Sequence, residues 1–443
     1  MRRRDLFKGI PFSTTGLAVV LLTAPGALAQ PLKDFKCTGH PDIRWDDQVA
    51  GCTEAIGSGK FTGEDLAAAV TNRGHAYYAK GDFDRAIADY DQAVRLNPND
   101  ATVYLARGAA YQAKHDPDQA IADDNEAIRL DPNNAFAFNN RGFAYQAKGE
   151  IDRAIADYNR AIELKPNYAQ ANLNRGVAYA AAGDPDRAIA DYSAAIQIDP
   201  NYVAAFANRG LAYEAKGELD RAIADDDQAI RLNPNYANAY TARGNAYQAK
   251  GDQDHAIADF DQAIRLDPKA APAFANRALA YEAKGDLDRA IADDTEAIRL
   301  APTYAIAYYN RGNFYGAKGD LDHAIADYDQ ALRLDPALTP ALINRGSAHF
   351  ATKDYDRAIA DDDRAIGLDP SLAVAFNNRG RVFLAKKDYD RAIADYDQAI
   401  RLKPDYATAL YWRGKAKQAK GNIAGGNADV GAAENIDPNV SRH

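Results

Sequence analysis

Asparagines at one place of a 34-residue interval offer the clearest chemistry in this chain. A side-chain amide both donates and accepts hydrogen bonds, so amides at a fixed spacing could hold the backbone of an extended peptide whatever its sequence. The same amides could instead bond the neighbouring interval and bind nothing else, and both interpretations stay open. The eight candidates are Asn72, Asn140, Asn174, Asn208, Asn276, Asn310, Asn344 and Asn378.

An arginine and an aspartate also recur with this 34-residue spacing. Arginine stands one place after the asparagine position in every interval, as at Arg209, and an aspartate follows sixteen residues later, as at Asp225. If both positions lie on packed helices, the simplest arrangement is an ion pair within each interval or between neighbouring ones. The spacing therefore predicts an internal ladder of arginine–aspartate pairs.

Four intervals carry a second aspartate where most others carry tyrosine or phenylalanine. An ionised carboxylate cannot stay buried without partners, so either an arginine reaches it or the junction is wetter than the rest. Runs such as Asp225-Asp226-Asp227 are rich in oxygen ligands for calcium, but consecutive helical residues point about 100° apart and no looped calcium motif is present. We therefore expect no metal site. The four aspartates are Asp124, Asp226, Asp294 and Asp362.

Nothing else in the chain is typical of catalysis. The seven histidines form no recognisable metal-binding or triad pattern, and no glycine-rich phosphate-binding loop is recognisable. Paired carboxylates are abundant, but their repetition is typical of a structural role. We therefore expect a protein that is not an enzyme and needs no cofactor. Its formal net charge of -10 argues against nucleic-acid binding, because an acidic surface repels phosphates.

The N-terminal residues 1–29 are typical of an export signal. Arg2, Arg3, Arg4 and Lys8 precede the apolar stretch 17–22, and Ala27-Leu28-Ala29 forms a small-x-small cleavage site. The adjacent arginines resemble the twin-arginine export motif, although a general secretory signal would also explain them. The apolar stretch is too short to span a bilayer. We expect a periplasmic or secreted protein, cleaved near Ala29, without stable membrane insertion of the mature chain.

The only two cysteines, Cys37 and Cys52, follow this signal. In an oxidising compartment such a pair is most simply a disulfide, and two buried free thiols are the alternative. A loop of this length would stabilise the fold by about 3 kcal/mol.

The sequence of each 34-residue repeat indicates which helices carry the recurring asparagine, arginine and aspartate. In residues 203–236, Phe206, Gly210 and Tyr213 share one face of a first helix, and Gly217 separates it from a second helix that ends before Pro234. One hairpin cannot bury enough apolar surface to fold alone, so neighbours must stack. The units are 67–100, 101–134, 135–168, 169–202, 203–236, 237–270, 271–304, 305–338, 339–372, 373–406 and 407–440, which we number repeats 1 to 11.

This pattern resembles the tetratricopeptide repeat family. In repeat 1 the residues at the family's signature positions 4, 8, 11, 20, 24, 27 and 32 are Val70, Gly74, Tyr77, Ala86, Tyr90, Ala93 and Pro98, of which Val70 departs from the usual aromatic residue. The resemblance implies an all-α, right-handed superhelical solenoid of eleven 34-residue helix-turn-helix repeats. It also implies that the first helices line a concave groove, where neutral and apolar residues join the asparagines. The candidates are Phe136, Phe143, Leu211 and Tyr309.

The two ends differ from the repeats between them. Residues 30–66 are predicted to form a cap with a helix that resembles half a repeat, held by the cysteine pair. Repeat 11 carries Gly425, Gly426 and Gly431 in its second helix, where each glycine costs up to about 1 kcal/mol relative to alanine. We expect this helix to fray, with no further helix to cover it before the tail 441–443, which would allow self-association through the C-terminal end.

These observations predict a non-catalytic scaffold that binds an extended protein segment along the groove. A structural accessory subunit of a cell-envelope assembly or polysaccharide-export complex is the alternative. It would dock through the convex face or the C-terminal end, and replacing groove asparagines would leave its assembly intact.

Overall fold

Pairs of antiparallel helices build the whole of the described chain. A computed structural model describes residues 32, 35–38 and 43–442, so the predicted export signal lies outside the described part. The chain divides into two compact units, Met1–Ala242 and Arg243–His443. Within residues 43–442 every regular element is helical and no strand occurs. The predicted all-α class of consecutive helix pairs is confirmed, whereas the handedness of a superhelix stays a prediction.

Each repeat contributes a first and a second helix, and one helix precedes them. This preceding helix, α1, spans Trp45–Gly57. The first helices, α2 to α22 in even numbers, are Gly63–Ala79, Ala101–Ala113, Ala135–Ala147, Ala169–Ala181, Val203–Lys216, Ala237–Ala249, Ala271–Ala283, Ala305–Ala317, Thr339–Ala351, Ala373–Ala385 and Ala407–Ala419. The second helices, α3 to α23 in odd numbers, are Phe83–Leu96, Pro117–Leu130, Ile151–Leu164, Pro185–Ile198, Leu219–Leu232, Gln253–Leu266, Leu287–Leu300, Leu321–Leu334, Tyr355–Leu368, Tyr389–Leu402 and Ile423–Ile436.

The turn between the two helices of a repeat is defined by its backbone and by a cap. Gly217 closes α10 in the left-handed region with φ 78°, as its position in the sequence predicts. In repeat 4, the side chain of Asp184 accepts a hydrogen bond of 3.0 Å from the backbone N of Arg187, and Pro185 occupies the first helical position of α9. Nine of the eleven second helices begin with a side-chain cap of this kind, and the two that follow Glu150 and Glu218 do not.

Close approach of the paired helices depends on small residues. Ala188 and Ala195 of α9 are fully buried, and the ring of Tyr192 packs directly over Gly176 of α8. A Cβ atom at Gly176 would lie 2.6 Å from Cε1 of Tyr192. The glycine that recurs in the sequence is therefore required by the ring that faces it.

The N-terminal end is covered by α1, which packs against α2. A disulfide joins Cys37 to Cys52 of this helix, with the Cα atoms 4.7 Å apart. The side-chain amide of Asn72 donates to the backbone carbonyl of Cys37 at 2.9 Å, and Gln48 of α1 donates to the carbonyl of Asn72 at 2.8 Å. The segment around the disulfide is thus attached to the first repeat by side-chain hydrogen bonds.

The C-terminal end has one contact that the sequence analysis did not predict. The helix α23 is continuous over Ile423–Ile436 despite its three glycines, and its fraying stays a prediction. A short 3-10 turn at Val440–Arg442 follows, and Val440 is buried against Leu410 and Ala433. No further α-helix follows α23 in the described residues, and the apolar side chain of Val440 folds back onto the last pair.

Candidate binding surface

A ladder of arginine–aspartate pairs holds the two helices of each repeat together. In repeat 4, Nε and Nη2 of Arg175 donate to the two carboxylate oxygens of Asp191 at 2.8 and 2.6 Å. The pairing recurs in all eleven repeats, from Arg73–Asp89 to Arg413–Asp429. Because both carboxylate oxygens are bonded, the pairs are bidentate, and the aspartates are buried inside the hairpin. The predicted ladder is confirmed in its form within each repeat.

The third arginine nitrogen adds a link that sequence reasoning missed. Nη1 of Arg175 donates to Oδ1 of Asn159, on the second helix of the preceding repeat, at 2.7 Å. The acceptor position varies between aspartate, asparagine, serine and threonine along the chain, as at Asp91, Ser193 and Thr295. Their shared ability to accept a hydrogen bond at one place of the interval is the signal that could have revealed the link.

Five of the eight candidate asparagines use their amide hydrogens on the segment or repeat that precedes them. Asn72 donates to the cap as described, and Asn174 donates to Oδ1 of Asn139 at 3.0 Å. Asn276, Asn344 and Asn378 each donate to the residue at position 9 of the preceding repeat. Those acceptors are Asn245 at 2.9 Å, Asn313 at 2.8 Å and Ser347 at 3.3 Å. These bonds match the alternative in which the amides join adjacent repeats, and they also fix the direction of each amide.

The other three candidates differ from one another. Asn208 donates to the carbonyl of Ala204 in its own helix at 2.8 Å and is buried. Asn310 is also buried, whereas Asn140 is half-buried and accepts from Asn139 at 3.4 Å. The eight amides therefore do not form a uniform row of exposed groups.

The apolar candidates lie half-buried on the first helices. The ring centroid of Phe136 is 5.2 Å from that of Tyr168 at an interplanar angle of 66°, and Nζ of Lys165 lies 4.4 Å from the Phe136 centroid. Phe143 and Leu211 occupy position 9 of their repeats, and Tyr309 occupies position 5. The Tyr309 ring centroid lies 6.2 Å from that of Tyr328, next to the asparagine pair of repeats 8 and 9.

Repeats 8 to 10 present adjoining depressions on their first helices. In the first, Oδ1 of Asn313 accepts from the Tyr328 hydroxyl and from Nδ2 of Asn344, both at 2.8 Å. Neither bond uses Nδ2 of Asn313, which lines a cavity of about 360 Å³ together with Gly316 and Ser347. Ser347 is exposed and also lines the second depression. This part of the surface combines fixed amides with open space.

Three of the four additional aspartates are buried without a hydrogen-bond partner for either carboxylate oxygen, namely Asp124, Asp294 and Asp362. Burial raises the pKa of Asp294 to about 9 and that of Asp362 to about 8, and it raises the pKa of Asp124 strongly as well. The arginine of each repeat pairs with the preceding aspartate in the sequence, such as Asp123 or Asp361, instead. Of the two alternatives, the one in which an arginine reaches the carboxylate therefore does not hold for these three aspartates.

Groups suited to metal binding are not brought together in the described part of the chain. No three histidine, cysteine, aspartate or glutamate side chains of residues 43–442 are placed to share a metal ion. Asp361 and Asp363, which flank Asp362, pair with Arg345 and Arg379 respectively. None of the described helices has both the length and the apolar character needed to cross a bilayer.

The fold and this surface define a class of protein: stacked helix pairs that present hydrogen-bonding side chains from their first helices. A family model described as TPR repeat matches residues 74–114, 215–251, 244–285 and 380–421. Models described as tetratricopeptide repeat match residues 140–203, 305–338, 101–134, 271–304 and 339–372. The chain belongs to the tetratricopeptide repeat (TPR) family. Proteins of this family generally act as protein-interaction scaffolds.

Three solved structures that are similar to this chain cover different shares of it. A chain of the APC/C hetero-tetramer Cut9-Hcn1 is 15% identical with a TM-score of 0.49, covering 96% of this chain and 98% of that chain. A tetratricopeptide repeat protein from Parabacteroides merdae is 22% identical with a TM-score of 0.46, covering 53% and 93%. MamA is 34% identical with a TM-score of 0.34, covering 37% and 96%. No curated protein matches the chain.

Proposed function

We propose that this protein is a non-catalytic scaffold that binds an extended segment of another protein on its first helices, with repeats 8 to 10 as the central contact. The observation that carries this proposal is the pair of adjoining depressions that share the exposed Ser347. Asn344 lines one depression and Asn378 lines the other, each with its amide direction set by a bond to the preceding repeat. Pre-oriented amides suit a peptide backbone because their orientation costs no further entropy on binding.

The amide bonds between repeats do not remove these side chains from binding. A primary amide has two donor hydrogens and an acceptor oxygen, so one bond to a neighbour leaves hydrogen-bonding capacity. Asn344 and Asn378 are half-buried, which leaves part of each in reach of a ligand. Asn208 and Asn310 are buried to 7% and 6% exposure, and we assign them a structural role.

We further propose that the protein is exported and works in the periplasm or outside the cell. The basic and apolar residues before Ala29 support this proposal, and so does the disulfide, because such bonds persist in oxidising compartments. Cell fractionation with N-terminal sequencing of the mature chain tests it, and a cytoplasmic protein that starts at Met1 would contradict it.

The binding proposal is tested by blocking the shared wall of the two depressions. A phage-displayed library of unstructured peptides is selected on the full chain, and the selected peptides are measured against Ser347→Phe. Since Ser347 is exposed, the larger ring fills both depressions without entering the core, and we expect at least tenfold weaker binding.

The matched control is Lys386→Ala, which removes an exposed ion pair with Asp356 outside both depressions. It should leave peptide affinity unchanged. Failure to select any peptide, or equal binding by S347F and the wild type, would contradict the proposed site. Intact assembly of S347F into an envelope complex would instead favour the accessory-subunit alternative.

A further inference from the structure

The second depression is a side-chain-sized cavity between the first helices of repeats 9 and 10. Its volume is about 220 Å³, and Asp362 of α19 lines it together with the apolar side chains of Phe350 and Val382. Ser347, Asn378 and Arg381 complete the polar part of the lining. The cavity thus offers apolar walls and one buried carboxyl group.

Asp362 has unmet hydrogen-bonding capacity inside this cavity. The residue is 1% exposed, and neither Oδ1 nor Oδ2 has a hydrogen-bond partner. A buried carboxyl group in this state costs free energy that a donor entering the cavity would recover. The unpartnered side chain therefore points to a ligand that donates hydrogen bonds.

Repeat 7 differs from repeat 9 in what packs next to its buried aspartate. Asp294 of repeat 7 is the equivalent buried aspartate, but position 10 of the next repeat is Phe314, which is buried against Ala278 and Ala290. The same position after repeat 9 is the smaller Val382. Phe314 packs onto the repeat that carries Asp294, whereas Val382 lines the cavity next to Asp362.

We propose that this cavity receives a lysine side chain of the bound protein segment, with its ammonium group on Asp362 and its methylene stem between Phe350 and Val382. This inference rests on the proposed function, because it assigns a residue type to the segment that the first helices bind. An ammonium group supplies three donors and neutralises the carboxylate that forms, which a neutral ligand cannot do. The formal net charge of -10 also favours a basic partner.

The charges around Asp362 come from four helices. Asp361 and Asp363 lie on its own helix, α19, and pair with Arg345 of α18 and Arg379 of α20. Asp395 of α21 pairs with Arg379 as well. Arg381 of α20 lies with its guanidinium carbon 5.1 Å from the ring centroid of Phe350. Arg345 and Arg379 already bind carboxylates, and Arg381 lies near the Phe350 ring, so none of these three arginines pairs with Asp362 in the structure.

Binding of a cation should release a proton. Burial raises the pKa of Asp362 to about 8, so the free carboxyl group is mostly protonated at pH 7. An ammonium ligand favours the carboxylate, and its affinity should therefore fall by up to about tenfold for each pH unit below 7. A neutral ligand would show no such dependence.

The test uses n-butylammonium, which has the four-carbon stem and ammonium group of lysine, and ligand-observed NMR on the full chain at pH 6, 7 and 8. We expect weak binding that strengthens with pH and that Asp362→Asn reduces at least tenfold. Val382→Phe, which copies the phenylalanine of repeat 8, should also abolish it. Asp294→Asn is the matched control in a repeat where phenylalanine already packs, and it should bind like the wild type.

Three results would overturn the inference: unchanged binding by D362N, tighter binding of acetate or n-butanol than of n-butylammonium, or affinity that does not vary with pH. Selected peptides separate this failure from failure of the proposed function. If selected peptides bind equally well after lysine is replaced by norleucine, the scaffold function is supported and the lysine cavity is contradicted. If n-butylammonium binds in an Asp362-dependent way but no peptide is selected, the cation-binding cavity is supported and the scaffold function is contradicted.

Discussion

At the scale of single residues, positions 8 and 24 of a repeat are sterically coupled. Where position 24 is a ring, as in Tyr192 or Tyr396, a Cβ atom at the facing glycine would lie 2.6 or 2.9 Å from it. Repeat 7 carries Asp294 instead of a ring, and it is also the one repeat whose glycine is replaced, by Ala278. The smaller aspartate leaves room for a methyl group. The aspartate therefore permits the alanine of repeat 7, although the three other repeats with an aspartate at position 24 keep their glycine.

This coupling predicts opposite effects for the same substitution in two repeats. Gly176→Ala should destabilise the protein by about 1–3 kcal/mol, because the ring of Tyr192 must move. Gly346→Ala faces Asp362, and its Cβ would meet no atom closer than 3.4 Å. There the helix preference of alanine should stabilise the protein, by up to about 1 kcal/mol. Thermal unfolding of both variants checks this, and a loss of stability in G346A equal to that in G176A would contradict the coupling.

At the scale of the helix pair, one arginine connects three helices. Arg175 extends from α8 to Asp191 of α9 in the same repeat and to Asn159 of α7 in the repeat before it. A guanidinium group has its donors in a fixed planar fork, so it can serve both partners at once. The ladder thus sets the distance within each pair and also contributes to the stacking of neighbouring pairs.

Removing one arginine should leave a buried charge without a partner. We expect Arg175→Ala to destabilise the protein by about 3 kcal/mol, since Asp191 is only 6% exposed and loses both charged hydrogen bonds. Urea unfolding with amide hydrogen exchange in repeats 3 and 4 measures the loss. Lys216→Ala is the matched control, because its ion pair with Asp186 is exposed and should contribute little. A loss in K216A as large as in R175A would show that burial is not the cause.

The helix pairs and the arginine ladder could be predicted because each depends on residues of one type at one spacing. The acceptors of the third arginine nitrogen were missed because Asp91, Ser193 and Thr295 share a hydrogen-bonding role and no residue type. The cavity at Asp362 could not be predicted either. It lies among side chains of three helices, including Phe350, Asp362 and Val382, and the repeat spacing does not indicate how these side chains pack.

At the scale of the whole molecule, helices contact other helices that are near them in the sequence. Within each compact unit a helix contacts the helices next to it in the chain, and most first helices also contact the first helix of an adjacent repeat. Stability in such an array is close to a sum of repeat and neighbour terms. Damage at one end should therefore weaken the nearest repeats and leave distant ones unchanged.

The disulfide at the N-terminal end allows this locality to be measured. Replacing both Cys37 and Cys52 by serine removes a cross-link with a sequence separation of 15, which should cost about 3 kcal/mol in the cap. The segment that holds the carbonyl bonded by Asn72 would then detach, and α1 would lose part of its support on α2. In hydrogen exchange with mass spectrometry we expect faster exchange across 45–100 and unchanged exchange across 169–236. Loss of protection spread evenly over both ranges would mean that the repeats of this unit unfold as one cooperative block, and the nearest-neighbour account would have to be abandoned.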